Sequence, residues 1–130
     1  ASARSAGNSV TFSGNDLIIQ ELTETIFTDE GIDIALFSAG GSVSAKYAPY
    51  AAASGAVVID NTSHYRMESD VPLVVPEVNP QDIAQWRNRG IIANPNCSTI
   101  QMVQTLKPLD DAYDLIRVDV STYQATSGGG

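Results

Sequence analysis

Hydrophobic positions fall in short clusters separated by polar and glycine-rich punctuation, and their spacing changes from cluster to cluster. Val10-Thr11-Phe12 and Leu17-Ile18-Ile19 are strand-like runs split by the turn cluster Ser13-Gly14-Asn15-Asp16. Leu22 and Ile26 stand four apart, which predicts a short helix over residues 20–27, with Gly31 closing it. Residues 32–37 are almost continuously apolar, the pattern of a strand buried on both faces. The small-residue turn Ser38-Ala39-Gly40-Gly41-Ser42 follows. An alanine-rich helix then runs over residues 42–54 and stops at Gly55, with Pro49 predicting a kink or break inside it.

Residues 56–60 are another short buried strand, and residues 61–72 read as a loop. Leu73 to Val75 form a strand ending at Pro76. Asn79 is placed as an N-cap, with Pro80 at the first helical position and Asp82 in the first turn of a helix ending near Gly90. Ile91-Ile92-Ala93 is a strand and Asn94-Pro95-Asn96 turns out of it. A helix over residues 97–107 follows, with Ile100, Val103 and Leu106 on one face, and residues 116–122 read as the last strand. Apolar strands alternating with amphipathic helices predict βαβ units, a parallel sheet and the α/β class. Ligands bind such sheets outside the carboxyl ends of the strands. Those ends are residues 38–42, 60–66, 76–79, 94–97 and 123–128.

The 130 residues carry 43% hydrophobic and 17% charged positions, the composition of one globular domain. No apolar run approaches the roughly 20 residues of a membrane span. One cysteine excludes an internal disulfide framework. Seven basic against 15 acidic residues give a net charge of −8, which disfavours nucleic acid and anionic lipid as partners. An anionic ligand must therefore be held by local devices: a few arginines, helix N-termini and glycine turns. Both ends of the chain read as cuts through a longer protein, because the opening turn has no strand before it and a strand-like run leads into the final glycines.

Residues 94–99, Asn-Pro-Asn-Cys-Ser-Thr, join a buried strand to a helix and set the only thiol in its first turn. Open N–H groups and the positive helix end favour a thiolate there, which is the nucleophilic form. The same groups can hold an oxyanion. A small buried hydrophobe is the other reading of a lone cysteine. Residues 1–7 offer Arg4, Ser5 and Gly7 to a phosphate, or form an ordinary polar turn. Ser38, Gly40 and Gly41 let a ligand or another backbone come close, without the spacing of a full dinucleotide fingerprint. Arg66 is an anion clamp at the ligand edge or a surface partner of Glu68 or Asp70. His64, the sole histidine, is an acid/base candidate or a solvated, hydrogen-bonded loop residue. Gln124 either contributes its amide to the site or satisfies loop backbone. No metal-ligating cluster stands out.

The segments SARSAG (2–7), ALFSAGGSVS (35–44), VVIDNTSHYRM (57–67), DVPLVVPEVN (70–79), IIANPNCSTIQMV (91–103) and STYQATSGGG (121–130) together resemble the aspartate-β-semialdehyde dehydrogenase family. They follow its order and cover nearly the whole chain. The resemblance implies a Rossmann-type NADP-binding domain over residues 1–96, lacking its first βα unit, and the start of an α+β catalytic domain over residues 97–130. It implies a cytoplasmic, homo-oligomeric enzyme of lysine, methionine and threonine biosynthesis. Such an enzyme interconverts aspartate-β-semialdehyde, phosphate and NADP⁺ with aspartyl-β-phosphate and NADPH.

By the same resemblance Cys97 forms the acyl-thioester, Asn96 orients beside it, and Gln124 orients the substrate. Arg66 binds phosphate, Arg4 and Ser5 hold the NADP 2′-phosphate, and Ser127 and Gly128 lie near the nicotinamide. The family's glycine-rich loop falls before Ala1. Its catalytic histidine and further substrate-binding arginine and lysine fall beyond Gly130, and His64 does not match that histidine. Asn8 stands where the family often has lysine. Other readings are a non-catalytic binding module, a cysteine hydrolase, or a related enzyme such as N-acetyl-glutamyl-phosphate reductase.

Overall fold

A computed structural model describes residues 1–125. The expectations on Ser127 and Gly128 lie outside the described residues. Three parallel strands form the core sheet: β3 (Ile34–Phe37), β4 (Val57–Asp60) and β5 (Ile91–Ala93), in the order β3-β4-β5. Ile34 pairs with Val57, and Val58 pairs with Ile91. The α/β class with a parallel sheet, read from the apolar clusters, is what the chain adopts.

A separate antiparallel hairpin precedes this sheet: β1 (Ser9–Phe12) and β2 (Asn15–Ile18). Its turn is only Ser13-Gly14, both at positive φ (50° and 80°). That is the twist a two-residue hairpin needs. Asn15 and Asp16 therefore belong to the strand rather than to a four-residue turn.

Between hairpin and core sheet, the expected helix over residues 20–27 shrinks to α1 (Ile26–Asp29), which buries Phe27 against Phe37 at 6.1 Å between ring centroids. Leu22 and Ile26 do reach the core, from irregular chain and from the helix start respectively. β3 is not buried on both faces: Ala35 and Phe37 are inside, while Ile34 and Leu36 are 63% and 77% exposed. It is one of the two edge strands of the sheet among the described residues, and only one of its faces is covered there.

α2 (Gly41–Ala53) connects β3 to β4 and runs unbroken through Pro49, against the expected break. Proline removes one backbone bond; burial of Ser44, Ala48 and Ala51 on one face holds the helix across that gap. Residues 73–75 give only a single parallel bridge, Leu73 to Ala93, rather than a strand. The segment Pro80–Asn88 is a 3₁₀ helix. Asn79 does precede it but does not cap it: its Oδ1 accepts from the Val75 N–H at 2.8 Å instead. Gly90 (φ 75°) returns the chain to β5 beside Ala52 of α2, where a Cβ would come within 2.8 Å of the alanine Cβ.

α3 (Cys97–Tyr113) is longer than expected and continues through Pro108. Val103 and Leu106 line a cleft with Val78, Leu115 and Val118, and the extra turns end where Asp110 accepts from the Asp114 N–H at 2.8 Å through its carbonyl and from the Leu115 N–H at 3.0 Å through its carboxylate. The expected strand over residues 116–122 does not form. Ile116 is fully exposed, and among the described residues no strand lies beside it to supply ladder bonds.

Candidate cofactor and nucleophile site

The carboxyl ends of β3, β4 and β5 lie side by side because the strands are parallel and in register. Ser38 follows β3, Asn61 follows β4 and Asn94 follows β5. Asn94 Nδ2 donates to Asn61 Oδ1 at 2.7 Å, and Asn61 Nδ2 reaches Ser38 Oγ at 3.5 Å. Arg66 closes the group. Its Nε donates to the Asn94 carbonyl at 2.9 Å and one terminal nitrogen to the Asn61 carbonyl at 3.1 Å. Arg66 does not pair with Glu68 or Asp70. Arg89 does, at 3.3 and 3.1 Å, while its guanidinium lies over the Tyr65 ring at 5.1 Å. Among the described residues no carboxylate lies within ion-pair distance of Arg66.

Under this loop lies a group that the sequence reading missed. The Asp60 carboxylate is fully buried and accepts from Ser44 Oγ (2.8 Å), the Thr62 N–H (3.0 Å) and Thr62 Oγ1 (2.8 Å). The available signal was Asp60-x-Thr62 at a strand end, since aspartate in turns bonds the backbone N–H two residues on. This network fixes the loop bearing His64 and Arg66 to the start of α2. His64 is exposed and stands edge-on to Tyr65 at 4.6 Å between ring centroids. Tyr65 itself is buried. Burial holds its phenol above the ordinary tyrosine range, the Arg89 charge opposes that, and Asp60 and Glu68 add to it.

At the start of α2, Gly40 is the N-cap residue at φ 104°, a conformation suited to glycine, and no side chain caps the helix. Its first N–H groups are thus open to an anion. The turn over residues 1–7 faces this corner. Ala1, Ser2 and Ala3 form one wall of a cleft of about 540 Å³, with Ala39, Val43 and Tyr47 on the other. Arg4 is exposed in that turn, and the Ser5 N–H is tied to the Ser2 carbonyl at 3.0 Å.

Cys97 is exposed as the first residue of α3, not a buried hydrophobe. Asn96 is the N-cap, and its side chain accepts from the Ser98 N–H at 3.0 Å. Cys97 and Arg66 are linked through the turn itself, since Asn94 accepts from Arg66 three residues before the thiol. Gln124 is exposed on irregular chain. The segment leading to it lines a cleft with the first turn of α3: Val120, Ser121 and Thr122 face Ser98, Thr99, Gln101 and Met102. Among the described residues no group of His, Cys, Asp or Glu could hold a metal ion, and no helix is long and apolar enough to cross a membrane.

A parallel βαβ sheet with a glycine-opened helix and ligand-facing loops at its strand ends defines a Rossmann-type nucleotide-binding domain. The family model described as semialdehyde dehydrogenase, NAD binding domain, matches residues 1–86, and the chain belongs to that family. Aspartate-semialdehyde dehydrogenase of Campylobacter jejuni is 69% identical over 130 residues, all of this chain and 38% of that protein. The chain therefore spans well under half the length of that relative. The crystal structure of aspartate semialdehyde dehydrogenase II from Vibrio cholerae, complexed with ASA, superposes with a TM-score of 0.81 at 58% identity, covering 85% of this chain and 36% of that one. Aspartate semialdehyde dehydrogenase with NADP from Candida albicans gives a TM-score of 0.67 at 30% identity, covering 87% and 38%.

Proposed function

We propose that this chain forms the cofactor side and the nucleophile of a cytoplasmic, homo-oligomeric aspartate-semialdehyde dehydrogenase that is NADP-dependent and phosphorylating. In its reductive direction it supplies lysine, methionine and threonine synthesis. The reading rests on the 94–98 turn. There Asn96 caps α3 so that Cys97 opens the helix, while Asn94 holds Arg66. Residues 1–96 supply the cofactor domain and residues 97–130 open the catalytic one.

The corner between the opening turn and α2 fits a dinucleotide phosphate, because Gly40 leaves open space where a side chain would stand. Arg4 and Ser5 are assigned to the 2′-phosphate and Ser38, Gly40 and Gly41 to the backbone approach, with Ser127 and Gly128 beside the nicotinamide. NADP, when bound, supplies the hydride acceptor.

The chain's own residues handle the acyl group. Cys97 Sγ adds to the aldehyde carbon, and N–H groups at the start of α3 hold the resulting oxygen anion. Asn96 fixes that helix start, and Gln124 orients the substrate. Loss of hydride from that carbon leaves the acyl group carried as a Cys97 thioester. Phosphate held by Arg66 attacks it, forming the acyl phosphate and returning the thiolate.

The test is steady-state assay of the full-length protein. NADP⁺ reduction should require both aspartate-semialdehyde and phosphate and should outpace NAD⁺ reduction. Aldehyde-dependent turnover with no need for phosphate would refute the reading, as would ester or amide hydrolysis in its place.

A further inference from the structure

Asn94 occupies a position that no step of the proposed chemistry uses, yet it makes three kinds of contact at once. Its N–H donates to the Asp60 carbonyl at 2.8 Å, continuing the β4–β5 ladder. Its side-chain amide donates to Asn61 Oδ1 at 2.7 Å. Its own carbonyl accepts from Arg66 Nε at 2.9 Å. Asn61 answers with a matching set: its N–H donates to the Phe37 carbonyl at 2.8 Å, and its carbonyl accepts from Arg66 at 3.1 Å.

We propose that Asn94 is a positioning residue for Arg66, tying the ends of β4 and β5 together so that two carbonyls aim the guanidinium at its anion. This rests on the assignment of phosphate to Arg66. Beyond the last ladder bond, nothing in a parallel sheet fixes the spacing between strand ends. Here the Asn94–Asn61 amide bond holds the two strand ends at the spacing that Arg66 itself bridges.

The spacing matters because a guanidinium has a planar, rigid donor set. With Nε on one carbonyl and a terminal nitrogen on the other, the plane is set by the distance between strands. Two of its five N–H groups are then occupied, and three are left for the anion. Loss of the side-chain tie lets the carbonyls drift apart. The guanidinium keeps its charge but loses its aim.

The test uses the full-length enzyme in the oxidative direction with inorganic phosphate as the varied substrate. Asn94→Ala should raise the KM for phosphate by about tenfold, the scale of one well-placed hydrogen bond. The KM values for NADP⁺ and aldehyde should stay within about twofold. In an Arg66→Lys background, where the planar donor set is already gone, Asn94→Ala should add less than about twofold. An equal rise in both backgrounds overturns the proposal, because Asn94 would then act independently of Arg66. A parallel rise in all three KM values also overturns it, since that marks a merely structural role. So does an unchanged KM for phosphate. If circular dichroism shows that Asn94→Ala does not fold, Asn61→Ala removes the same side-chain bond from the other side. It must then give the same selective rise, or the proposal fails. Phosphate-independent turnover by the unsubstituted enzyme overturns both the proposal and the functional reading beneath it.

Discussion

Arg66 Nε donates to the Asn94 carbonyl oxygen at 2.9 Å across 28 positions of sequence. This one bond joins the loop after β4 to the turn that opens α3 at Cys97. The Arg66 guanidinium and the helix start that carries Cys97 are thereby held at the same edge of the sheet.

Arg66→Lys should raise the KM for phosphate by about tenfold or more while leaving NADP⁺ use nearly unchanged. An ammonium is a point charge and cannot span the Asn61 and Asn94 carbonyls while presenting a second edge to phosphate. Initial rates over a phosphate series read the effect directly. A fall in cofactor affinity alone would mean that Arg66 serves a different anion.

Cys97→Ser should abolish aldehyde-dependent turnover and iodoacetamide labelling, yet change stability by less than about 0.5 kcal/mol, because the side chain is exposed. Asn96→Ala should cost about 1 kcal/mol through loss of the cap to the Ser98 N–H. Asn96→Asp keeps an acceptor there and should recover most of that stability. Urea unfolding of the three variants separates the two roles.

Tyr65 predicts an alkaline limit. Burial raises its phenol above the ordinary value of about 10, so the folded chain holds the proton more tightly than the unfolded chain. The resulting stability is complete below that ordinary value and is lost as pH rises through the higher folded one. Thermal unfolding of Tyr65→Phe should therefore show a shallower decline above about pH 10 than the parent. An identical decline would place the alkaline transition elsewhere.

Gly90 and Gly55 form a matched pair. Both have positive φ (75° and 97°), but only Gly90 has a neighbour, Ala52 Cβ, within 2.8 Å of where a Cβ would stand. Gly55→Ala should cost about 1 kcal/mol for the backbone conformation alone. Gly90→Ala should cost roughly 1–3 kcal/mol more for the collision between the β5 entry and α2. Denaturant midpoints compare the two directly.

The parallel core was legible in the sequence because β3, β4 and β5 are apolar runs closed by small residues, and a buried strand needs little else. The hairpin was legible as two strands but not as a sheet of its own, since pairing depends on the positive φ of Ser13 and Gly14 rather than on hydrophobicity. Residues 116–122 carry a strand pattern that stays unpaired, because a pattern shows what a segment could bury and not whether a partner lies beside it. The place of Cys97 at the opening of α3 could be read from local spacing; the capping role of Asn96 was not read, although an asparagine just before a helix start is its signal. The Asn61–Asn94–Arg66 cluster could not be read from spacing, because its members meet only when β4 and β5 are brought together, and an arginine near Glu68 and Asp70 reads equally as an anion clamp or a surface pair. Arg89, distant in sequence, takes those two carboxylates instead.

The buried carboxylate of Asp60 constrains how this region can vary. Its three donors come from Ser44 and Thr62, and among the described residues no cation lies within ion-pair distance. A single change at Ser44 or Thr62 to an apolar residue removes one of the three donors to the buried carboxylate, and an apolar residue at Asp60 leaves both hydroxyls without this acceptor, each at a cost of about 1–3 kcal/mol. Replacements that spare stability must therefore come in concert. The first turn of α2 and the loop bearing Arg66 are thus bound to one another in descent as well as in space, because single substitutions in the Ser44–Asp60–Thr62 network are costly on either side.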